Sequence, residues 1–134
     1  MHGNYYMIST SLKAYCKDID EWPDSWKYDK PDIVTGEKIL HSVFIPFLDF
    51  LTSKKLTKRT IKRHVDNIWL LGGEIIGRVN MDESLREKDG LSLVKEFVDD
   101  SGGPYSRHLH SETEMDSFDS SCRKLYKFLR SLNS

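Results

Sequence analysis

The strongest constraint on the fold is the segment TKRTIKRHVDNIWLLGGEIIGR, residues 57–78, in which apolar side chains recur every three to four positions. At about 100° per residue they fall within an arc of ~120°, which predicts one amphipathic helix with Thr57 as its N-cap. Gly72 and Gly73 leave two alternatives: another helix approaches closely there, or the helix ends and a short one begins. The apolar residues after the glycines stay in phase, which favours a continuous helix. The arc contains Ile61, Val65, Ile68, Trp69, Gly72, Ile75 and Ile76.

Two further segments have helical periodicity. Residues 36–53 carry apolar side chains over a broad face, which predicts a central helix of the core, with a kink at Pro46 or a break near Ile45. Ser111 followed by Glu114 is the pattern of a capping box at the start of a last helix. The apolar arc of that helix contains Met115, Phe118, Cys122, Leu125, Tyr126, Leu129 and Leu132.

No segment shows the alternation typical of strands, so the predicted fold class is all-α. A chain of 134 residues is expected to form one domain, 1–134, a compact bundle of about four to six helices with an irregular N-terminal arm. We predict that residues 1–35 hold the arm, a short helix and an aromatic, acidic loop, and that residues 36–134 form the helical core. Trp22, Trp26 and Tyr28 in the loop either tie it to the domain surface, which we favour, or form an aromatic ligand platform.

Composition and motifs narrow the functional classes. The absence of a ~20-residue apolar run or a secretion signal predicts a cytoplasmic protein that does not enter a membrane, with Cys16 and Cys122 as reduced thiols. No phosphate-binding loop, dinucleotide fingerprint, nucleophile elbow or Cys-x-x-Cys motif occurs, so we expect no enzyme, no catalytic residues and no cofactor. His108 and His110, with Glu112 and Glu114, do not match a ligand pattern, and no metal site is expected.

A cluster of cations around the start of the 57–78 helix is the main functional lead. The chain has a net charge of −1, but residues 54–66 are basic and residues 17–37 are mostly acidic. Three interpretations remain open: the cations contact nucleic-acid phosphates, they pair with an acidic segment of this or another chain, or they only solvate the helix. The candidate nucleic-acid-binding residues are Lys54, Lys55, Lys58, Arg59, Lys62 and Arg63.

The segment FIPFLDFLTSKKLTKRTIKRHVDNIWLL, residues 44–71, resembles the helical core-binding domain of tyrosine recombinases and phage integrases. In that family a helix ends in a short L-[ST]-x-[RK]-T turn, and the following helix contacts DNA. The matching run here is Leu56–Thr60, and the resemblance implies DNA contact from Lys62 and Arg63 on the next turn. The family's catalytic arginine, histidine, arginine and tyrosine set does not follow, so recombination is not implied.

Three blocks, WPDSW, RHVDNIWLLGGEII and SFDSSCRKLYKFLRS, resemble a family of small uncharacterised bacterial all-helical proteins with the same block order. This resemblance spans most of residues 22–131 and implies a self-contained helical domain, without an activity. The sequence thus predicts a non-enzymatic helical binding module that contacts DNA through the basic face of the helix. The alternative is a protein-interaction or homo-oligomerisation domain in which that face pairs with an acidic segment.

Overall fold

The computed structural model describes residues 8–132, and the predicted N-terminal arm, residues 1–7, lies outside them. In this part of the chain six helices pack around one apolar core. The count treats α3 and α4 as one continuous helix, since a π-helical turn joins them. The all-α prediction and the predicted number of helices are therefore confirmed for this part of the chain. The α-helices are α1 (Thr10–Tyr15), α2 (Trp22–Trp26), α3 (Pro31–Ile39), α4 (Ile45–Thr52), α5 (Lys58–Met81), α6 (Gly90–Lys95) and α7 (Glu112–Ser131).

The α3–α4 helix passes through the centre of the core, as its broad apolar face predicts. The π turn, Leu40–Phe44, lies just before Pro46, and the backbone N–H of Ile45 donates to the carbonyl of Leu40. Proline lacks an N–H and its ring crowds the preceding turn, so one widened turn lets the helix continue past it. The predicted irregularity is present, but it falls one turn before Ile45 and does not break the helix.

Helices α5 and α7 begin where their caps predict. The Thr57 side chain accepts the N–H of Thr60, and the Ser111 side chain accepts the N–H of Glu114. The Glu114 carboxylate in turn accepts the N–H of His110. In a standard capping box it would accept the N–H of the cap residue itself, so here the second hydrogen bond goes to the residue before the cap. α5 runs without interruption through Gly72 and Gly73 to Met81, which confirms the continuous helix.

The structure corrects the predicted loop before residue 36. The segment Trp22–Trp26 forms α2, with Pro23 in its first turn, and Pro31 opens α3, positions at which proline is compatible with a helix. Both tryptophans are buried in the same core as α3–α4 and α5. The core therefore does not begin at residue 36, because these two tryptophans contribute to it from the segment predicted as a loop.

The close approach on α5 comes from α2. A Cβ placed on Gly72 would overlap the ring of Trp26, so only glycine leaves room for this indole. The Trp26 Nε1–H donates to the Trp69 carbonyl at 2.9 Å, which gives the buried indole N–H its partner. Of the two alternatives for the glycine pair, the close contact is the observed one, and a single tryptophan side chain makes it.

A buried carboxylate ties the start of α3 to the segments that follow α5. Asp32 is fully buried and accepts the backbone N–H groups of Tyr28 and Asp29, both at 2.9 Å. Arg86, on the 3₁₀ turn Glu83–Glu87, donates to the same carboxylate at 2.9 Å. Burial opposes the charge, but these donors outweigh it and hold the pKa of Asp32 below its ordinary value.

Candidate functional site

The six sequence-predicted cations, here called the basic stripe, are all exposed on the structure. They lie on the turn before α5 and on its first two turns. Lys62 is the member with an ion pair within residues 8–132, to Asp66 at 3.2 Å. Lys54 Nζ lies 4.5 Å from the centre of the Phe50 ring, a cation–π contact that positions it. The stripe consists of Lys54, Lys55, Lys58, Arg59, Lys62 and Arg63.

Helix α7 packs against the part of α5 that carries the stripe. The two helices pack against each other: Arg63 Nη1 donates to Ser117 Oγ at 3.1 Å, and His64 Nδ1 lies 2.7 Å from Ser121 Oγ. Burial, followed by the charges of Arg63 and Lys124, lowers the pKa of His64 to about 4. Lys124 is exposed on α7, so a further cation lies on the helix that packs against this part of α5.

The acidic segment lies beside one flank of the stripe and does not cover it. A cleft of about 360 Å³ between α2 and α5 is lined by Lys62 together with Asp18, Glu21 and Asp24. All six cations, including Lys62, stay exposed. The acidic segment therefore approaches the stripe at Lys62, whose ion pair is with Asp66, and it leaves the outer part of the stripe open to solvent.

A second, larger concavity, here called the aromatic groove, lies along the later half of α5. It encloses about 790 Å³, and Gly73 and Gly77 form part of its floor. Tyr28 contributes to its lining from the α2–α3 connection, and Tyr105 from the segment between α6 and α7. Their side chains are 65% and 81% exposed, so both rings are open to a ligand, and Trp69 on α5 adds a third ring that is 43% exposed.

The structure corrects the placement of Trp69, which the apolar arc of α5 had assigned to the core. Its indole N–H donates to Ser25 Oγ at 3.0 Å, so the side chain turns toward α2 at the protein surface. Trp69 lies at the edge of the apolar arc, next to the exposed face, and this was the sequence signal that it could be at the surface. Tyr105 gave no periodic signal, because it follows the break at Gly102–Pro104.

Charges at the rim of the groove are mostly positive. Lys27, Arg78 and Arg107 are exposed members of its lining, and Lys27 pairs with Asp24 at 2.6 Å. Glu74 is the acidic member of that lining, and it accepts the hydroxyl of buried Ser106 at 2.7 Å. A ligand in the groove would meet aromatic faces beside guanidinium and ammonium groups.

The remaining candidates from the sequence are the histidine and glutamate cluster before α7 and the two cysteines. Within residues 8–132 no three His, Cys, Asp or Glu side chains are placed to hold one metal ion, and Glu114 near His110 serves as a helix cap. Cys16 and Cys122 are free and buried, and burial followed by the nearby Asp18 raises the pKa of Cys16 to about 11. These thiols therefore stay protonated at neutral pH.

Comparison with known proteins adds no relative. No protein-family model, curated protein or solved structure matches this chain. Across residues 8–132, no helix combines the length and apolar character needed to cross a bilayer.

Proposed function

We propose that this chain is a non-enzymatic helical module that binds nucleic acid through phosphate contacts on the basic stripe. The main support is that the positive charges of the stripe are exposed and mostly lack an acidic partner. All six cations face solvent, and Lys62 alone forms an ion pair within the described residues. Lys124, on the helix that packs against α5, is a further exposed cation. Clustered cations of this kind release counterions when they meet a phosphate backbone, which supplies affinity without base readout.

The position of the stripe at a helix start strengthens the proposal. The first turn of α5 contains Lys58 and Arg59 and no acidic residue, so its cations oppose the partial positive charge of the helix N-terminus. A phosphate bound there would offset both the side-chain charges and the helix dipole. This arrangement costs stability in the free protein and favours an anionic partner.

Mutation of two stripe residues tests the proposal. Lys58→Ala/Arg59→Ala should weaken binding to a mixed-sequence DNA duplex by on the order of tenfold at 0.1 M salt, because two phosphate contacts are lost. The slope of log affinity against log salt should fall by about two. Both quantities follow from fluorescence anisotropy titrations at several salt concentrations.

The matched control is Lys30→Ala/Lys95→Ala, which removes the same charge from residues on α6 and at the start of α3. This control should bind DNA with the affinity and salt slope of the wild-type protein. If both double variants lose equal affinity, binding depends on overall charge and not on the stripe. If the wild-type protein binds no DNA at low salt, the proposed function is wrong.

The second candidate is a protein-interaction or self-association domain. It is favoured by the acidic cleft beside Lys62, because Asp18, Glu21 and Asp24 of one copy could pair with the outer stripe of another. Light scattering at low and high salt distinguishes the two candidates. A dimer that dissociates at high salt supports this candidate, whereas a monomer at both salts removes self-association.

A further inference from the structure

Two cations of the basic stripe, Arg59 and Arg63, lie on the same face of α5 as the floor of the aromatic groove. Residues three or four positions apart on a helix share a face. One such row runs along most of α5. It begins with two cations of the stripe, continues with Asp66, which pairs with Lys62, and ends at residues that line the floor of the groove. The row is Arg59, Arg63, Asp66, Leu70, Gly73 and Gly77.

We infer that this face binds single-stranded nucleic acid, with phosphates on the basic stripe and unpaired bases in the aromatic groove. The inference rests on the proposed function and specifies its substrate class. A duplex keeps its bases stacked inside, so it could use the stripe but not the rings of Tyr28, Trp69 and Tyr105. A single strand offers a phosphate at every step and a base to each ring.

The chemistry of the groove matches bases. Exposed aromatic rings stack on any base, and cations near them contact the connecting phosphates. The groove supplies Tyr28, Trp69 and Tyr105 for stacking, with Arg78 and Arg107 at its rim. Its volume of about 790 Å³ is large enough to accept more than one ring.

Two details support a base-binding groove in particular. The Trp69 indole is held by its hydrogen bond to Ser25, so one platform is positioned before any ligand arrives. The Glu74 carboxylate disfavours an anion at its own position, but it can accept a hydrogen bond from the amino group of a base. Phosphates are therefore expected at the rim and on the stripe, with bases nearer Glu74.

The length of α5 determines how long a strand must be. Arg59 and Gly77 are separated by 18 residues in sequence, which is ~27 Å of helix at ~1.5 Å per residue. Along a strand with the stacked spacing of ~3.4 Å per nucleotide, this distance corresponds to about eight nucleotides. An oligomer of twelve can occupy stripe and groove together, and one of four cannot.

The experiment compares end-labelled single-stranded 12-mers and 4-mers with a 12-base-pair duplex by fluorescence anisotropy. The wild-type protein should bind the single-stranded 12-mer at least about tenfold more tightly than either other ligand. Tyr28→Ala/Tyr105→Ala should lose about 5-fold or more per ring for the single-stranded 12-mer and leave duplex affinity unchanged. Both side chains are exposed, so this variant is expected to fold, which circular dichroism checks.

The matched control is Tyr28→Phe/Tyr105→Phe, which keeps both rings and should bind the single-stranded 12-mer like the wild-type protein. Equal affinity for strand and duplex, or equal losses for both in the alanine variant, would overturn the inference while the proposed function stands. Tight binding of the 4-mer would also overturn it, because the strand would then not span both surfaces. If the wild-type protein binds none of these ligands, the proposed function itself fails.

Discussion

At the scale of single residues, His64 is the side chain whose environment has the clearest solution consequence. It is buried between α5 and α7, and burial lowers its pKa from 6.5 to about 4. The unfolded chain therefore takes up this proton first as the pH falls, so the stability contribution is complete above about pH 6.5 and is lost progressively toward pH 4. The shift corresponds to about 3 kcal/mol of unfolding free energy.

Urea unfolding of the wild-type protein and His64→Gln at pH 7.5 and pH 4.5 tests this expectation. Glutamine does not titrate, so the wild-type protein should lose about 2–3 kcal/mol more than the variant between the two pH values. His110→Gln is the matched control, because His110 is exposed, and it should keep the pH dependence of the wild-type protein. An equal loss in all three proteins would show that His64 does not titrate as described.

At the scale of elements, the contact between α2 and α5 depends on one missing Cβ. Gly72→Ala should destabilise the fold by about 2–3 kcal/mol, because the methyl group would overlap Trp26 and displace an indole that is hydrogen-bonded to the Trp69 carbonyl. The adjacent Gly73→Ala is the matched control. A Cβ there would lie 3.5 Å from Trp26 Cδ1, an ordinary contact.

Alanine at position 73 should be neutral or stabilising by up to about 1 kcal/mol, since glycine is a poor helix former. Chemical unfolding of the two variants measures both values. Similar effects of the two substitutions would mean that the glycine pair acts through helix propensity alone. The expected difference between neighbouring glycines therefore isolates the packing of Trp26.

The helices that could be predicted from the sequence are those with long periodicity or a cap. α5 and α7 have both, and the apolar face of α3–α4 is broad enough to identify it as central. α2 could not be predicted, because WPDSW is shorter than two turns and is held by its buried tryptophans. A helix stabilised mainly by tertiary contacts leaves no periodic pattern in its own sequence.

The same limit applies to the candidate site. The basic stripe is local in sequence and could be predicted, and the structure shows it exposed. The aromatic groove combines Tyr28, Trp69 and Tyr105 from three separate segments, so no spacing rule connects them. Trp69 was misplaced because the apolar arc gave its angle on the helix but not its hydrogen bond to Ser25.

At the scale of the whole molecule, the Asp32–Arg86 contact joins distant parts of the chain. Asp32→Ala should cost about 3–5 kcal/mol of unfolding free energy, because it leaves the Arg86 guanidinium and two backbone N–H groups without their shared acceptor. Asp29→Ala is the control: Asp29 is exposed and accepts one hydrogen bond from Asn80, so its removal should cost about 1 kcal/mol or less.

Thermal and urea unfolding of both variants measure these costs. If Asp32→Ala and Asp29→Ala unfold with the same free energy, the buried carboxylate is not the structural link described. Asn80 lies at the end of α5 and Arg86 follows it. Tyr28, whose backbone N–H binds Asp32, contributes its ring to the groove. Loss of the link should therefore also loosen the position of the Tyr28 ring.

The three tryptophans differ in their exposure to solvent, so intrinsic tryptophan fluorescence can report on the groove and on the core. Trp22 and Trp26 lie in the core, whereas Trp69 is open at the groove. An aqueous quencher such as iodide should therefore reach one indole of three in the native protein and all three after denaturation. Occupation of the groove would shield that one fluorophore, so the quenchable fraction reports ligand binding and folding separately, without any added dye.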